Sequence, residues 1–191
     1  FHKTKIGLDA NGKILRWDHR IATKSISKGT DFEKFLVHNG VDHFSVEGCV
    51  DTLYQLPNMS VGLSDFKSSI PVLWWRGLGH THTAFAMESL LDMVAQRTGK
   101  DPIELRLDLL NSNDSKQQRM ANVLKISRSR SGWNKGNKRG FAAHYSYKTF
   151  VAVVADVSAT GKQVHIDKLH ITVDCGVPVN ADVIRAQMEG G

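Results

Sequence analysis

An α+β fold, built of antiparallel hairpins with a central group of helices, is what this sequence predicts. Three observations carry that expectation. Asn11-Gly12 sits between two runs that alternate in polarity. Apolar residues then recur at helical spacing between Ala84 and Arg128, and from Phe150 to Val173 the period returns to that of a strand. Strands, helices, strands and a last helix follow one another in blocks, without the strand–helix alternation of a parallel sheet.

In the first hairpin Ile6 and Leu8 alternate with polar residues, and Ile14-Leu15-Arg16-Trp17 starts the return strand. Asn-Gly favours a tight turn because both central residues need positive φ. Ser25 to Asn39 reads as a loop with one helical turn, and Val41 to Val61 as short strands broken at Pro57-Asn58. Ala84, Met87, Leu91 and Val94 mark the apolar face of a helix, with Glu88, Asp92 and Gln96 on its other face. Gly99 closes that helix as a C-cap. Asp101 caps a second one, with Pro102 in the first helical position and Glu104 completing a capping box. It carries Leu105, Leu109 and Leu110, and a third helix, around Lys116 to Arg128, carries Met120, Val123, Leu124 and Ser127.

Ser131 to Arg139 reads as a linker, dividing residues 1–131 from 132–191. Beyond it, Phe150–Val157 and Gln163–Val173 form a second hairpin around Thr160-Gly161-Lys162. The apolar phase slips between Ile166 and Leu169, which predicts a bulge. Asn180 caps a final helix with Val183, Ile184 and Met188. That the sequence stops as this helix finishes reads as truncation of a longer chain.

Of the 191 residues 41% are apolar and 23% charged, which supports a packed core and argues against disorder. No apolar run reaches the roughly 18 residues of a membrane span, and no signal peptide opens the sequence. Cys49 and Cys175 match neither a zinc spacing nor a disulfide framework and read as two buried thiols. A net charge of +6 raises the question of nucleic acid. The one basic cluster (Lys125, Arg128, Arg130, Lys135, Lys138, Arg139) holds a single aromatic, Trp133, and no nucleic-acid-binding signature. It reads as a solvated helix face and a basic loop.

Chemistry concentrates in three stretches. In the first, Pro71 to Ala95, Arg76-Gly77-Leu78-Gly79 precedes a helix. Free N–H groups, the helix dipole and one guanidinium suit an anion there, and glycine allows close approach. His80 and His82 flank Thr81 with no carboxylate or cysteine companion, a poor metal site. Trp74-Trp75 reads as core or interface aromatics, with stacking on a ligand as the alternative. In the second stretch, Arg139 to Gly161, His144 and Tyr145 could act as acid and base but have no evident partner in the sequence. The third, Val173 to Gly191, is explained by a cap and a helix. Walker, Rossmann, nucleophile-elbow and HExxH patterns are all missing.

Taken in order, these stretches resemble the xanthine dehydrogenase and aldehyde oxidase superfamily of molybdenum hydroxylases. Trp75-Arg76-Gly77-Leu78-Gly79, Ala84-Phe85-Ala86-Met87-Glu88-Ser89, and Gly99-Lys100-Asp101-Pro102 with Arg106, Leu109 and Leu110 are similar to the isoquinoline 1-oxidoreductase β-subunit type. So are Val173-Asp174-Cys175-Gly176 and Ala186-Gln187-Met188-Glu189-Gly190-Gly191, and the likeness covers nearly the whole chain. The resemblance implies incomplete parts of a larger molybdopterin-binding subunit. It assigns cofactor contact to Trp75, Arg76, Gly77, Leu78 and Gly79, and to the strand start Lys148, Thr149, Phe150, Val151 and Ala152. Relatives often read Ser-Phe-Gly-Ser where this chain has Ser146-Tyr147-Lys148-Thr149.

The implied cofactor is molybdopterin with molybdenum, in plain or cytosine dinucleotide form. The metal is held by the cofactor's dithiolene, so the resemblance calls for no protein metal ligand. The implied partners are a small [2Fe-2S] subunit and an aldehyde or N-heteroaromatic substrate, with neither nucleic acid nor a membrane span. Two family segments, a Gly-Gln-Gly motif and the glutamate that serves as base, are not in this sequence. The resemblance therefore names no catalytic residue here and implies that this stretch alone is inactive and holds no molybdenum. A cytoplasmic and a periplasmic location both stay open. A non-catalytic binding or assembly module of the same fold is the competing expectation, and a downstream glutamate in the whole gene separates the two.

Overall fold

The computed structural model describes residues 1–111, 113–134 and 138–191. It is α+β, and it divides into two compact units, Phe1–Lys100 and Asp101–Gly191. The division falls earlier than the expected 131/132 boundary. The reason is packing: the third helix of the sequence reading covers the second hairpin and belongs with it. Of the expected linker Ser131–Arg139, residues 135–137 lie outside the described residues.

In the first unit β1 (His2–Leu8) and β2 (Ile14–Thr23) form the expected antiparallel hairpin. Its turn differs from the expected one. Only Gly12 of the Asn-Gly pair takes positive φ, 79°, and the loop spans Asp9 to Lys13, whose backbones bond at 3.0 Å. The Asp9 carboxylate accepts the N–H groups of Asn11 and Lys13 at 2.8 and 2.9 Å. Such a carboxylate supplies the turn's acceptor, so a two-residue turn is not needed. Leu15 is the extra residue of a bulge, since Gly7 faces Arg16 and Leu8 faces Ile14. The bulge resets the strand's phase and puts Ile14, Trp17, His19 and Ile21 all inside.

A long connection follows, with α1 (Glu33–Leu36), the short pair β3 (Val37–His38) and β4 (Val41–Asp42), and a 3-10 turn at His43–Ser45. It returns the chain as β5 (Met59–Asp65), which pairs with β2 in parallel. A reading in antiparallel hairpins does not anticipate this pair. A parallel neighbour requires a crossover of about a dozen residues or more, and the segment read as loop and short strands is that crossover.

Helix α2 (His80–Thr98) ends at Gly99 with φ 71°. Met87, Leu91 and Val94 line its buried stripe as expected, while Thr83 takes the buried place expected of Ala84, which is half-buried. Glu88, expected on the outer face, is buried as well, because the stripe widens around Ala86-Met87. The hairpin lies along this helix: Gly12 abuts Thr98 near its C-terminus, and His2 reaches His82 near its N-terminus at 2.9 Å. Cys49 is buried, 3.7 Å from the Met87 sulfur, and burial pushes its thiol up to about 12.

The second unit opens with α3 (Pro102–Asp108), capped by Asp101 Oδ1, which accepts from Ile103 N and Glu104 N at 2.9 and 3.1 Å. The other carboxylate oxygen accepts from Trp133 Nε1 at 2.8 Å. Glu104 pairs with Arg128 of α4 (Ser115–Ser131). β6 (Arg139–Ser146), β7 (Thr149–Thr160) and β8 (Gln163–Asp174) form a fully antiparallel sheet with β7 in the centre. The β7–β8 hairpin is as expected, and so is its bulge: Asp156 faces Lys168 and Val157 faces Ile166, leaving Asp167 over.

Helix α4 packs on β7 and β8, with Met120, Val123, Leu124 and Ser127 buried as their spacing predicts. Arg119 clamps Asp174 through Nε and Nη2 at 2.8 and 2.6 Å, and this bond holds the Asp174 carboxyl below the usual range. The last helix, α5 (Ala181–Glu189), is capped by Asn180, whose side chain accepts from Asp182 N and Val183 N. Cys175 is exposed, unlike the expected buried thiol, because it follows β8 where the chain leaves the sheet.

This packing makes two predictions. Asp101→Ala removes both the α3 cap and the Trp133 anchor, and should cost about 1–2 kcal/mol in a denaturant titration. An unchanged midpoint would remove the cap's claimed role. The second concerns pH. The pKa values of His2, His19 and His82 are all lowered, chiefly by burial, His2 from 6.5 to about 4. A folded pKa below the unfolded one means that the unfolded chain takes up the proton first. The stability is therefore complete above 6.5 and is lost as pH falls towards 4. The melting temperature should fall across that window, and fall less in His2→Asn; parallel curves would contradict this.

Candidate functional site

The Trp75–Gly79 loop delivers the chain into α2 through two left-handed residues, Gly77 at φ 92° and Leu78 at φ 47°. Leucine in that region costs roughly 1 kcal/mol or more, so the surroundings must hold it. Leu78 N donates to Trp75 O at 3.0 Å, and Leu78 O accepts from Thr81 Oγ1 at 2.8 Å. A β-carbon on Gly77 would crowd the Thr81 methyl at 2.8 Å.

Beneath the loop lies a buried carboxylate. Glu47 Oε1 accepts Gly79 N–H at 2.8 Å, and the Glu47 carbonyl accepts Thr83 Oγ1 at 2.7 Å. His80 Nε2 stands 3.6 Å from Glu47 Oε2. Burial raises the Glu47 pKa, against the opposing pull of His80 and of the Gly79 N–H. The anion expected at this helix start is thus in part the protein's own. The glycine has a matching reason: a β-carbon on Gly79 would sit 1.8 Å from the Phe44 carbonyl oxygen. Gly79 is small so that the loop can pack on the 3-10 turn.

A cleft of about 230 Å³ opens beside the loop. Trp75, Leu78 and Gly79 line it, together with Lys24, Thr81 and His82. Lys24 Nζ donates to the carbonyls of Ser68 and Ile70 at 2.9 and 2.6 Å, tying down the segment that leads to the loop. Trp74 packs on Phe32 and Phe44, with ring centroids 5.4 and 5.6 Å away, so it is a packing aromatic. Trp75 is 82% exposed and offers an open ring face, and Arg76 is exposed as well.

Sequence reasoning misses Lys24 and His82 as cleft residues. Nothing local marks Lys24, and the spacing of His82 raises only the question of a metal. Among the described residues no group of histidine, cysteine and acidic side chains could hold a metal ion.

The second candidate segment lies in the other unit. Tyr147 and Lys148, at φ 46° and 63°, form the two-residue turn between Ser146 and Thr149. Positive φ at position 148 suits glycine by turn geometry alone, and this chain carries lysine there. Phe150 and Ala152 are fully buried in the unit's core, and Arg119 covers the Phe150 ring at 4.5 Å. As β7 is the central strand, its backbone bonds to β6 and β8. Lys148, Thr149 and Val151 are therefore the side chains in this segment that reach the surface. Tyr145 packs tilted against Phe150, with ring centroids 4.7 Å apart. Of the basic cluster, Arg128 is paired with Glu104 and Arg139 with Asp156, while Lys135 lies outside the described residues. Among the described residues no helix is long and apolar enough to cross a membrane.

Lys24 in the cleft and Arg76 next to Trp75 carry positive charge, and Trp75 offers an aromatic face, a combination able to meet an anionic group.

The chain is 29% identical to the beta chain of the isoquinoline 1-oxidoreductase of Brevundimonas diminuta, over 96% of this chain and 24% of that protein. It is 28% identical to the B component of the nicotinate dehydrogenase of Pseudomonas putida, over 96% of this chain and 17% of that one. It thus spans a quarter or less of the length of these relatives. Among solved structures, the aldehyde oxidoreductase of Desulfovibrio gigas aligns with a TM-score of 0.45 at 17% identity, over 81% of this chain and 18% of that one. A family model, the molybdopterin cofactor-binding domain, matches residues 1–110, more than half of the 191. The chain belongs to the molybdopterin cofactor-binding domain family.

Proposed function

We propose that this chain forms part of the cofactor-binding portion of a molybdenum-dependent oxidoreductase. The whole protein would hydroxylate an aldehyde or an N-heteroaromatic compound, with oxygen drawn from water. The observation that carries this reading is the strained loop at the head of α2, which leaves Trp75 and Arg76 exposed beside a donor-rich cleft.

In this chain Arg76 would hold the pterin or its phosphate arm, because a guanidinium serves two acceptors at once. Trp75 would stack on the ring system, with Leu78 and the Gly77 and Gly79 backbones shaping the loop around it. In the second unit, Lys148, Thr149 and Val151 would make the contacts that the resemblance assigns to that strand. Molybdopterin, when bound, supplies a redox-active metal through its dithiolene, in plain or cytosine dinucleotide form. The base that activates water would come from a glutamate elsewhere in the whole protein, and a small [2Fe-2S] subunit would take the electrons.

Two substitutions in the full-length subunit test the loop. Arg76→Lys keeps the charge and loses the fork. Molybdenum content or turnover should fall roughly tenfold, the loss of about one charge-assisted hydrogen bond, at an unchanged melting temperature. Unchanged metal content together with unchanged turnover would overturn the assignment. Gly79→Ala should behave oppositely. Its β-carbon meets the Phe44 carbonyl, so the melting temperature should drop by several degrees. A Gly79→Ala protein of wild-type stability would mean that the loop does not pack on that turn.

A further inference from the structure

Four aromatic side chains of the first unit form a hydrogen-bonded row that the proposed function does not use. Trp17 Nε1 lies 3.3 Å from His19 Nδ1. His19 Nε2 lies 2.8 Å from His2 Nδ1, and His2 Nε2 lies 2.9 Å from His82 Nδ1. Trp17 and His19 are fully buried, and His82 lines the cleft beside Trp75 and Gly79.

The row has only one consistent arrangement of protons. An indole nitrogen can only donate, so His19 Nδ1 must accept and its proton sits on Nε2. That proton is given to His2 Nδ1, so the His2 proton also sits on Nε2. His2 in turn donates to His82 Nδ1, and the His82 proton is left on Nε2, across the ring from His2. A second proton on any of the three rings would set two donors face to face. Burial lowers all three pKa values, in keeping with neutral rings.

We propose that the Trp17–His19–His2 row locks His82 as a hydrogen-bond donor, whose Nε2–H selects a ligand that places an accepting oxygen or ring nitrogen in this cleft. Trp17, His19 and His2 are positioning residues. That the acceptor belongs to the cofactor's phosphate arm or to a heteroaromatic substrate rests on the proposed function; the locked tautomer does not.

The test is nitrogen NMR on the full-length subunit with 15N-labelled histidine, at neutral pH. His19, His2 and His82 should each show a protonated Nε2 and a bare Nδ1. A His82 protonated on Nδ1, or on both nitrogens, overturns the proposal. Ligand arms on cofactor-free protein use pyrophosphate, isoquinoline, and naphthalene as a ring of the same shape without an acceptor. A downfield shift of the His82 Nε2 proton with pyrophosphate assigns the acceptor to the phosphate arm, and with isoquinoline to the substrate. No shift with either, or an equal shift with naphthalene, overturns it. In Trp17→Phe, or in His2→Leu if the former does not fold, His82 should populate both tautomers and take up a proton nearer the ordinary histidine range. A purely structural role for the row would lower the melting temperature and leave the His82 tautomer fixed. Because the tautomers are read in the protein itself, a failure of the Arg76→Lys test leaves this result standing.

Discussion

The side chain of Glu47 lies beneath the first turn of α2, where its Oε1 accepts Gly79 N–H at 2.8 Å and its carbonyl holds Thr83. A helix start offers unpaired N–H groups and a positive dipole end, and a buried carboxylate is a strong partner for both. This bond draws the loop so close to the 3-10 turn that only glycine fits at position 79. The geometry of the candidate site follows from it. With the N–H donor of Gly79 engaged inside, Trp75 and Arg76 are left exposed on the outer side of the loop.

The left-handed backbone at Gly77 and Leu78 is the other side of the same arrangement. An exposed loop would relax a leucine out of that region, since each such residue costs roughly 1 kcal/mol or more. Here the Trp75 and Leu78 carbonyls are taken up by Leu78 N–H and Thr81 Oγ1, and Lys24 ties the preceding segment at Ser68 and Ile70. The loop is thus held in place by the protein's own hydrogen bonds, and a ligand binding there would meet a lower ordering cost. The His19–His2–His82 row adds to this rigidity from the sheet side, because each ring fixes the tautomer of the next.

The second unit uses a different device. Its sheet is closed over α4 by the Arg119–Asp174 pair, a two-bond clamp from a helix to the end of β8. Arg139, Asp156 and His170 link the three strands edge to edge. Such a frame holds the Tyr147-Lys148 turn in a conformation that glycine would adopt without strain. Lysine occupies the second of these positions and puts a cation at the tip of the turn.

Whatever depends on neighbours along the chain could be read directly from the residues. The caps at Asp101 and Asn180, the helix end at Gly99, the buried stripe of α4, the β7–β8 hairpin and its bulge near Asp167 all come from side chains within a few residues of the backbone they serve. The motif Trp75 to Gly79 was legible in the same way, as was the family it pointed to. The parallel pairing of β2 with β5, the unit boundary after Lys100, the carboxylate under α2 and the His2–His82 contact across 80 positions emerge in the folded chain alone. Those features join residues far apart in sequence. Hydrogen bonds and packing between such residues act only once the fold has brought them within a few ångströms, and no local spacing or propensity encodes that approach.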